Sequence, residues 1–187
     1  MAVPKAKKKR KSEVLRDNGI PQVNEQRMIM NASWMVIACT GIYPGSEIKF
    51  GAKAMDKVVN VYWRKMNDIH AENVRRCKAG LPGVTPEEVA RRADEGRGLG
   101  IAAKIRQRFR DPYKANCNLL VAGTMVMAAG EMGWSFPRII KWFEGYLALI
   151  DEVNNPRQRT TAKSIYQWCY EKTGMRVDEK ITWNGAA

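Results

Sequence analysis

Apolar residues recur along the chain at spacings of three and four, which is the period of one face of an α-helix. The longest run of this kind follows Ser46 and consists of Met55, Val58, Tyr62, Met66, Ile69 and Cys77. Its flank carries four cations and one amide side chain, which are Lys49, Lys53, Lys57, Arg64 and Asn60. Charge and core therefore occupy different faces of one long helix, and Ser46 is predicted to be its N-cap.

Glycine, proline and asparagine mark the ends of the other predicted helices. A first helix is predicted from an N-cap at Asn24 to about Cys39. Further helices are predicted over residues 86–94, 101–110, 113–132 and 136–153. A last helix is predicted around Ile165 and ends at Gly174.

The clearest local signal is the run Thr85, Pro86, Glu87 and Glu88. A threonine, then a proline at the first helical position, then a glutamate three residues after the threonine is the pattern of a capping box. A helix is therefore predicted to begin at Pro86, with Thr85 as its N-cap.

The predicted helix over residues 113–132 is apolar nearly all round, which is typical of a helix surrounded by others. Its uncharged part, residues 115–130, is shorter than the roughly 20 residues that a membrane span needs, so no membrane partner is expected. We expect an all-α, single-domain bundle of about six to seven helices around this central apolar helix. The predicted bundle spans residues 20–174, between a disordered basic arm (1–19) and a C-terminal extension (175–187).

Charge narrows the choice of partners. The 187 residues carry a formal net charge of +13, and residues 1–16 hold seven of the cations beside a single acid, Glu13. A field of this sign attracts polyanions. Nucleic acid is the first expected partner and an acidic host protein the second, and the sequence leaves the oligomeric state open.

The four cysteines lie far apart and there is one histidine, so the spacing of a zinc finger or ribbon is absent. Cys39, Cys77, Cys117 and Cys169 each lie in an apolar helical stretch, where a free thiol behaves as a small hydrophobe. Four reduced thiols and no apolar signal sequence favour a cytoplasmic location. No metal and no cofactor is expected.

Enzymatic interpretations find little support in the sequence. Asp68, His70 and Glu72 are a possible catalytic cluster, but successive steps of two residues turn about 200° around a helix, so neighbouring members point apart. Gly96, Gly98 and Gly100 either join two helices as a hinge or form a nest of N–H groups for a phosphate. We therefore expect a non-enzymatic protein with no catalytic residue.

Residues 85–110 resemble a helix-turn-helix, with a capped helix, a glycine-containing turn and a basic amphipathic helix. In that DNA-binding family the second helix enters the major groove. The resemblance gives this role to Lys104, Arg106, Gln107, Arg108 and Arg110. Their clustered charge adds Arg97 and Lys114 as candidate phosphate contacts.

The arm adds five candidate contacts to phosphate, which are Lys7, Lys8, Lys9, Arg10 and Lys11. This run also resembles a nuclear localisation signal, and a disordered basic arm on nucleic acid has the same composition. The two interpretations stay open at the level of sequence.

Residues 131–139 contain a second resemblance, in the run Gly133, Trp134, Ser135 and, three residues later, Arg138. It is similar to a connection found in small uncharacterised helical proteins of Gram-positive phages and mobile elements. The expected function is nucleic-acid binding, DNA more than RNA, and the resemblance makes a phage or mobile-element regulator the form it implies. The alternative is a phage-encoded inhibitor or adaptor that acts on a host nucleic-acid-handling or defence complex.

Overall fold

The computed structural model describes residues 23–155, 157–158 and 160–173, so the predicted arm and C-terminal extension lie outside the described residues. Within these residues the chain forms seven α-helices and no strand. They are α1 (Val23–Ala38), α2 (Ala52–Lys78), α3 (Pro86–Asp94), α4 (Ile101–Arg108), α5 (Pro112–Glu131), α6 (Phe136–Asn154) and α7 (Ala162–Thr173). The predicted all-α fold is confirmed.

The central helix of the bundle is α5, as the apolar pattern predicts. It packs against α1, α2, α3, α4 and α6, and Leu119, Val121 and Met125 are completely buried. The stripe on α2 also forms core, with Met55, Val58, Tyr62, Met66 and Ile69 buried, whereas Cys77 at its end is half-buried. Burial of these faces supplies most of the driving force for folding.

Two buried hydroxyl bonds connect the core helices. The hydroxyl groups of Ser33 in α1 and Tyr62 in α2 lie 2.7 Å apart. Tyr146 in α6 donates a bond of 2.6 Å to the amide oxygen of Asn118 in α5. A polar group inside a core costs free energy unless it has a partner, and these four side chains supply partners to each other.

Local capping signals hold where the sequence is explicit. The N–H of Glu88 donates to the Thr85 hydroxyl over 3.1 Å, and α3 begins at Pro86 as predicted. Asp111 caps α5 in the same way, accepting from the N–H of Tyr113. The glutamate half of the predicted capping box is wrong, because the Glu88 carboxylate bonds to Arg76 and Arg92 instead.

Two other N-cap predictions are wrong. The long helix α2 starts at Ala52 with Gly51 as N-cap, because the buried Ser46 hydroxyl donates to the carbonyl of Cys39 and accepts from the N–H of Ile48. Those bonds hold residues 46–48 in a turn. Asn24 is a helical residue of α1 and not its cap.

Candidate nucleic-acid interface

The candidate interface is built on the hairpin of α3 and α4. Gly96, Gly98 and Gly100 all have φ near +70°, a left-handed conformation that side chains other than glycine adopt at a cost. The Asp94 carboxylate accepts hydrogen bonds from the N–H groups of Leu99 and Gly100. The nest predicted as a possible phosphate site therefore already holds an internal anion.

The predicted cations of α4 divide between two faces of the helix. Arg106 and Gln107 are exposed, and so are Arg110 just after α4 and Lys114 in the first turn of α5. We call these four residues the α4 row. Within the described residues, Arg110 and Lys114 have no carboxylate partner, whereas Arg106 pairs with Glu87 of α3.

Three other predicted contacts are held by the bundle. Arg108 is 23% exposed and binds both oxygens of Asp151 on α6, each over 2.9 Å. The ammonium of Lys104 lies 5.7 Å from the centre of the Phe143 ring. Arg97 donates a bond of 2.8 Å to the carbonyl of Ala93. Only part of the predicted cluster is therefore exposed to solvent.

The five predicted contacts of the arm, Lys7, Lys8, Lys9, Arg10 and Lys11, lie outside the described residues. Their role on nucleic acid stays a prediction.

A closed network of four charged residues fixes the hairpin to α2. Arg92 binds the Glu72 carboxylate through two bonds of 2.9 Å, and Arg76 binds Glu88 through two bonds of 3.1 Å. Arg76 also reaches Glu72, and Arg92 reaches Glu88, each one helical turn away. Two cations and two carboxylates cancel, so this network adds nothing to the positive field.

Hydrogen bonds within the network keep the carboxylates ionised. The Arg92 bond holds the pKa of Glu72 at about 2 against the partial burial that opposes it. The pKa of Glu88 is also lowered, first by its bond to Arg76. Glu72, which the sequence offered as a candidate catalytic residue, is thus the ion-pair partner of Arg92 on α3. Asp68, from the same candidate cluster, is exposed, and its carboxylate lies 3.9 Å from the ammonium of Lys65.

A second basic surface combines cations of α2, which the sequence predicted to be exposed, with cations of α6, which it did not indicate. The α2 row of Lys53, Lys57 and Arg64 is exposed as predicted. The fold places Arg138 and Lys141 of α6 beside Lys49, around an open groove of about 350 Å³. We call these six cations the α2–α6 surface. Sequence reasoning did not include Arg138 and Lys141 in a site, because they lie about 90 residues from Lys49. The signal that could have pointed to them is the pair of aromatic residues nearby in sequence, Trp134 and Phe136.

The described part of the chain contains neither a membrane-spanning helix nor a cluster of metal-ligating side chains. No helix there is long and apolar enough to cross a membrane. No three side chains among its His, Cys, Asp and Glu residues come together in a way that could hold a metal ion.

Comparison of the chain with models of protein families, with curated proteins and with solved structures gives no match in any of the three. The resemblances to a helix-turn-helix and to phage proteins therefore stay predictions.

Proposed function

We propose that this protein binds nucleic acid without catalysing a reaction on it, and that DNA is its preferred target. The observation that carries the proposal is the α4 row, in which Arg106, Gln107, Arg110 and Lys114 face solvent from one hairpin and the adjoining helix turn. Cations in such a row neutralise phosphates and release counterions, and an exposed glutamine beside them can bond to a base edge. The resemblance to the helix-turn-helix family favours DNA.

The pair of Arg106 with Glu87 is compatible with this role. Both side chains are about half exposed, at 48% and 44%, and an exposed ion pair contributes only about 0–1 kcal/mol. A phosphate can therefore replace Glu87 at little cost. Arg108 forms one hydrogen bond and a second ionic contact with Asp151 and is assigned to the scaffold, together with Lys104 and Arg97.

The test measures binding to a fluorescein-labelled duplex of 20 base pairs by anisotropy at several salt concentrations. The variant R106Q/R110Q/K114Q removes three cations from the α4 row. Because each phosphate contact contributes about 0.9 to the slope of log K against log salt, we expect that slope to fall by about 2 to 3.

The control variant is R75Q/K78Q/K172Q, which removes three exposed cations that have no carboxylate partner within the described chain. It loses the same net charge, so its slope should change far less than that of the row variant. Equal slopes for the two variants would overturn the assignment to the α4 row. Failure of the unmodified protein to bind duplex, with capture of one host protein that survives nuclease treatment, would favour the inhibitor or adaptor instead.

A further inference from the structure

The α2–α6 surface lies at the opposite end of the central helix from the α4 row. Arg64 bonds to Glu131, the last residue of α5. Lys114 of the α4 row lies in the first turn of α5. Twenty helical residues span about 30 Å at 1.5 Å per residue. One molecule therefore presents two separate basic regions.

Charge at the α2–α6 surface is only partly neutralised. Lys141 pairs with the exposed Glu47 at 3.0 Å, and Arg64 shares Glu131 with Lys65. Lys53 and Lys57 are exposed, lie one turn apart on α2, and have no carboxylate partner within the described chain. The exposed Asp56 beside them is the remaining nearby acid. Two lysines on one helical face are thus open to an external anion.

Aromatic rings contact one cation of the α2–α6 surface, Arg138. The guanidinium carbon of Arg138 lies 4.7 Å from the ring centres of both Phe50 and Trp134, and those two rings are 5.3 Å apart. Trp134 in turn packs on the buried Trp142 at 4.9 Å. The two rings, one of them packed on the buried Trp142, therefore support the planar guanidinium, while Arg138 as a whole stays exposed. Phe136, two residues before it, is 44% exposed.

Phe50, whose ring contacts Arg138, lies three residues before Lys53 in the chain. Unpaired lysines near a guanidinium that is supported by aromatic rings are suited to binding a single strand. Phosphates follow the cations, and unstacked bases stack on aromatic or arginine planes. An acidic peptide would also be attracted to the lysines, but its carboxylates would bond to the edge of the Arg138 guanidinium and leave the face of that group unused. The arginine held against two aromatic rings is the feature that favours nucleic acid.

We propose that the α2–α6 surface binds a single-stranded segment of nucleic acid, with phosphates on Lys53 and Lys57 and a base stacked on Arg138. This inference extends the proposed function, since it gives the same protein a second site for the same class of ligand. A duplex on the α4 row and a single strand on the α2–α6 surface would then be bound about 30 Å apart.

The first experiment titrates the full chain into a labelled dT15 oligonucleotide at several salt concentrations. The variant K53Q/K57Q should lower the slope of log K against log salt by about 1.4, since each single-strand phosphate contact contributes about 0.7. Its matched control is R75Q/K78Q, which changes two exposed cations at the other end of the same helix. Circular dichroism and thermal unfolding should show both variants folded.

The second experiment separates stacking from charge with Arg138→Lys. The charge is kept, so the salt slope should stay the same, while loss of the planar group should weaken dT15 binding by about fivefold or more, because one stacked base contributes about 1–3 kcal/mol. Duplex binding should not change. A poly-glutamate peptide that competes as well as dT15, with Arg138→Lys without effect, would overturn the proposal in favour of an acidic protein.

The remaining outcomes separate the two proposals. Equal salt slopes for K53Q/K57Q and R75Q/K78Q overturn the single-strand site. Loss of dT15 binding in R106Q/R110Q/K114Q overturns it as well, because the oligonucleotide then occupies the α4 row. Binding of dT15 without any binding of duplex supports the single-strand site and overturns the α4 row as a duplex interface, whereas failure to bind either ligand overturns both.

Discussion

Arg92 and Glu72 form a two-bond ion pair between α3 and α2, with both N···O distances at 2.9 Å. Arg76 and Glu88 form the reciprocal pair, in which α2 supplies the arginine and α3 supplies the glutamate. The four charges alternate around a closed ring, so each guanidinium contacts both carboxylates. The hairpin that carries the α4 row is thereby fixed to the longest helix.

A double-mutant cycle should measure this pair. We expect Glu72→Ala and Arg92→Ala each to lower the free energy of unfolding, and the double variant to lose less than their sum. The coupling should be about 1 kcal/mol, since both groups are partly exposed and solvent screens them. Urea unfolding followed by circular dichroism gives the four values. A coupling of zero would show that the pair of Glu72 and Arg92 contributes no stability.

Acid should weaken the same network. The pKa of Glu72 is about 2 in the folded chain, below its ordinary value of 4.5. A carboxyl whose pKa is lowered by folding stabilises the protein above its unfolded pKa and loses that contribution as pH falls through the folded pKa. The unfolding free energy should therefore decline between about pH 4.5 and 2, and Glu72→Gln should decline less over this window. Urea unfolding at pH 6, 4 and 3 makes the comparison, and parallel curves would contradict the assignment.

Local signals in the sequence predicted much of the fold. The helix start at Pro86 and the central position of α5 depend on neighbouring residues or on a regular apolar period, and the structure has both. Ser46 was misplaced because its partners, Cys39 and Ile48, belong to a turn that no short motif announces.

The candidate site was harder to predict than the fold. Sequence spacing located the α4 cations but not their partners, since Asp151 meets Arg108 only after α6 has packed on α4. The same holds for Arg138, whose contact with Phe50 joins residues 88 positions apart. Helical period assigns a residue to a face, whereas tertiary packing decides what that face meets.

The close packing of α5 against α3 should depend on Gly123, which has no side chain at the point where the two helices meet. A Cβ placed on Gly123 would lie 2.9 Å from a side-chain carbon of Val89 and 3.0 Å from the backbone N of Ala90. Gly123→Ala should therefore lower the free energy of unfolding by about 1–3 kcal/mol through overpacking. The control is Gly145→Ala, also a buried glycine inside a helix, where the new Cβ would meet Cys39 at an ordinary 3.9 Å.

Gly145→Ala should leave stability unchanged or raise it by up to about 1 kcal/mol, because alanine favours a helix over glycine. The two variants add the same atoms to similar positions, so opposite signs isolate the close contact. Thermal unfolding of both proteins makes the comparison. Equal effects would show that α3 moves away from α5 at no cost.

The turn between α3 and α4 should depend on Asp94. Its carboxylate accepts from the N–H groups of Leu99 and Gly100, and its own backbone carbonyl accepts from those of Arg97 and Gly98. Asp94→Ala removes the side-chain acceptor alone and should destabilise the protein by about 1–2 kcal/mol. Asp56→Ala, an exposed aspartate without a partner in the described chain, is the control and should change stability little.

Hydrogen exchange distinguishes loss of this turn from general loosening. In Asp94→Ala the amides of Leu99 and Gly100 should exchange faster, while those of α5 follow only the change in global stability. Because α4 leaves this turn, the α4 row should also lose its fixed orientation, and duplex binding should weaken with an unchanged salt slope. Unaltered exchange at both amides would mean that the three left-handed glycines hold the turn without the carboxylate.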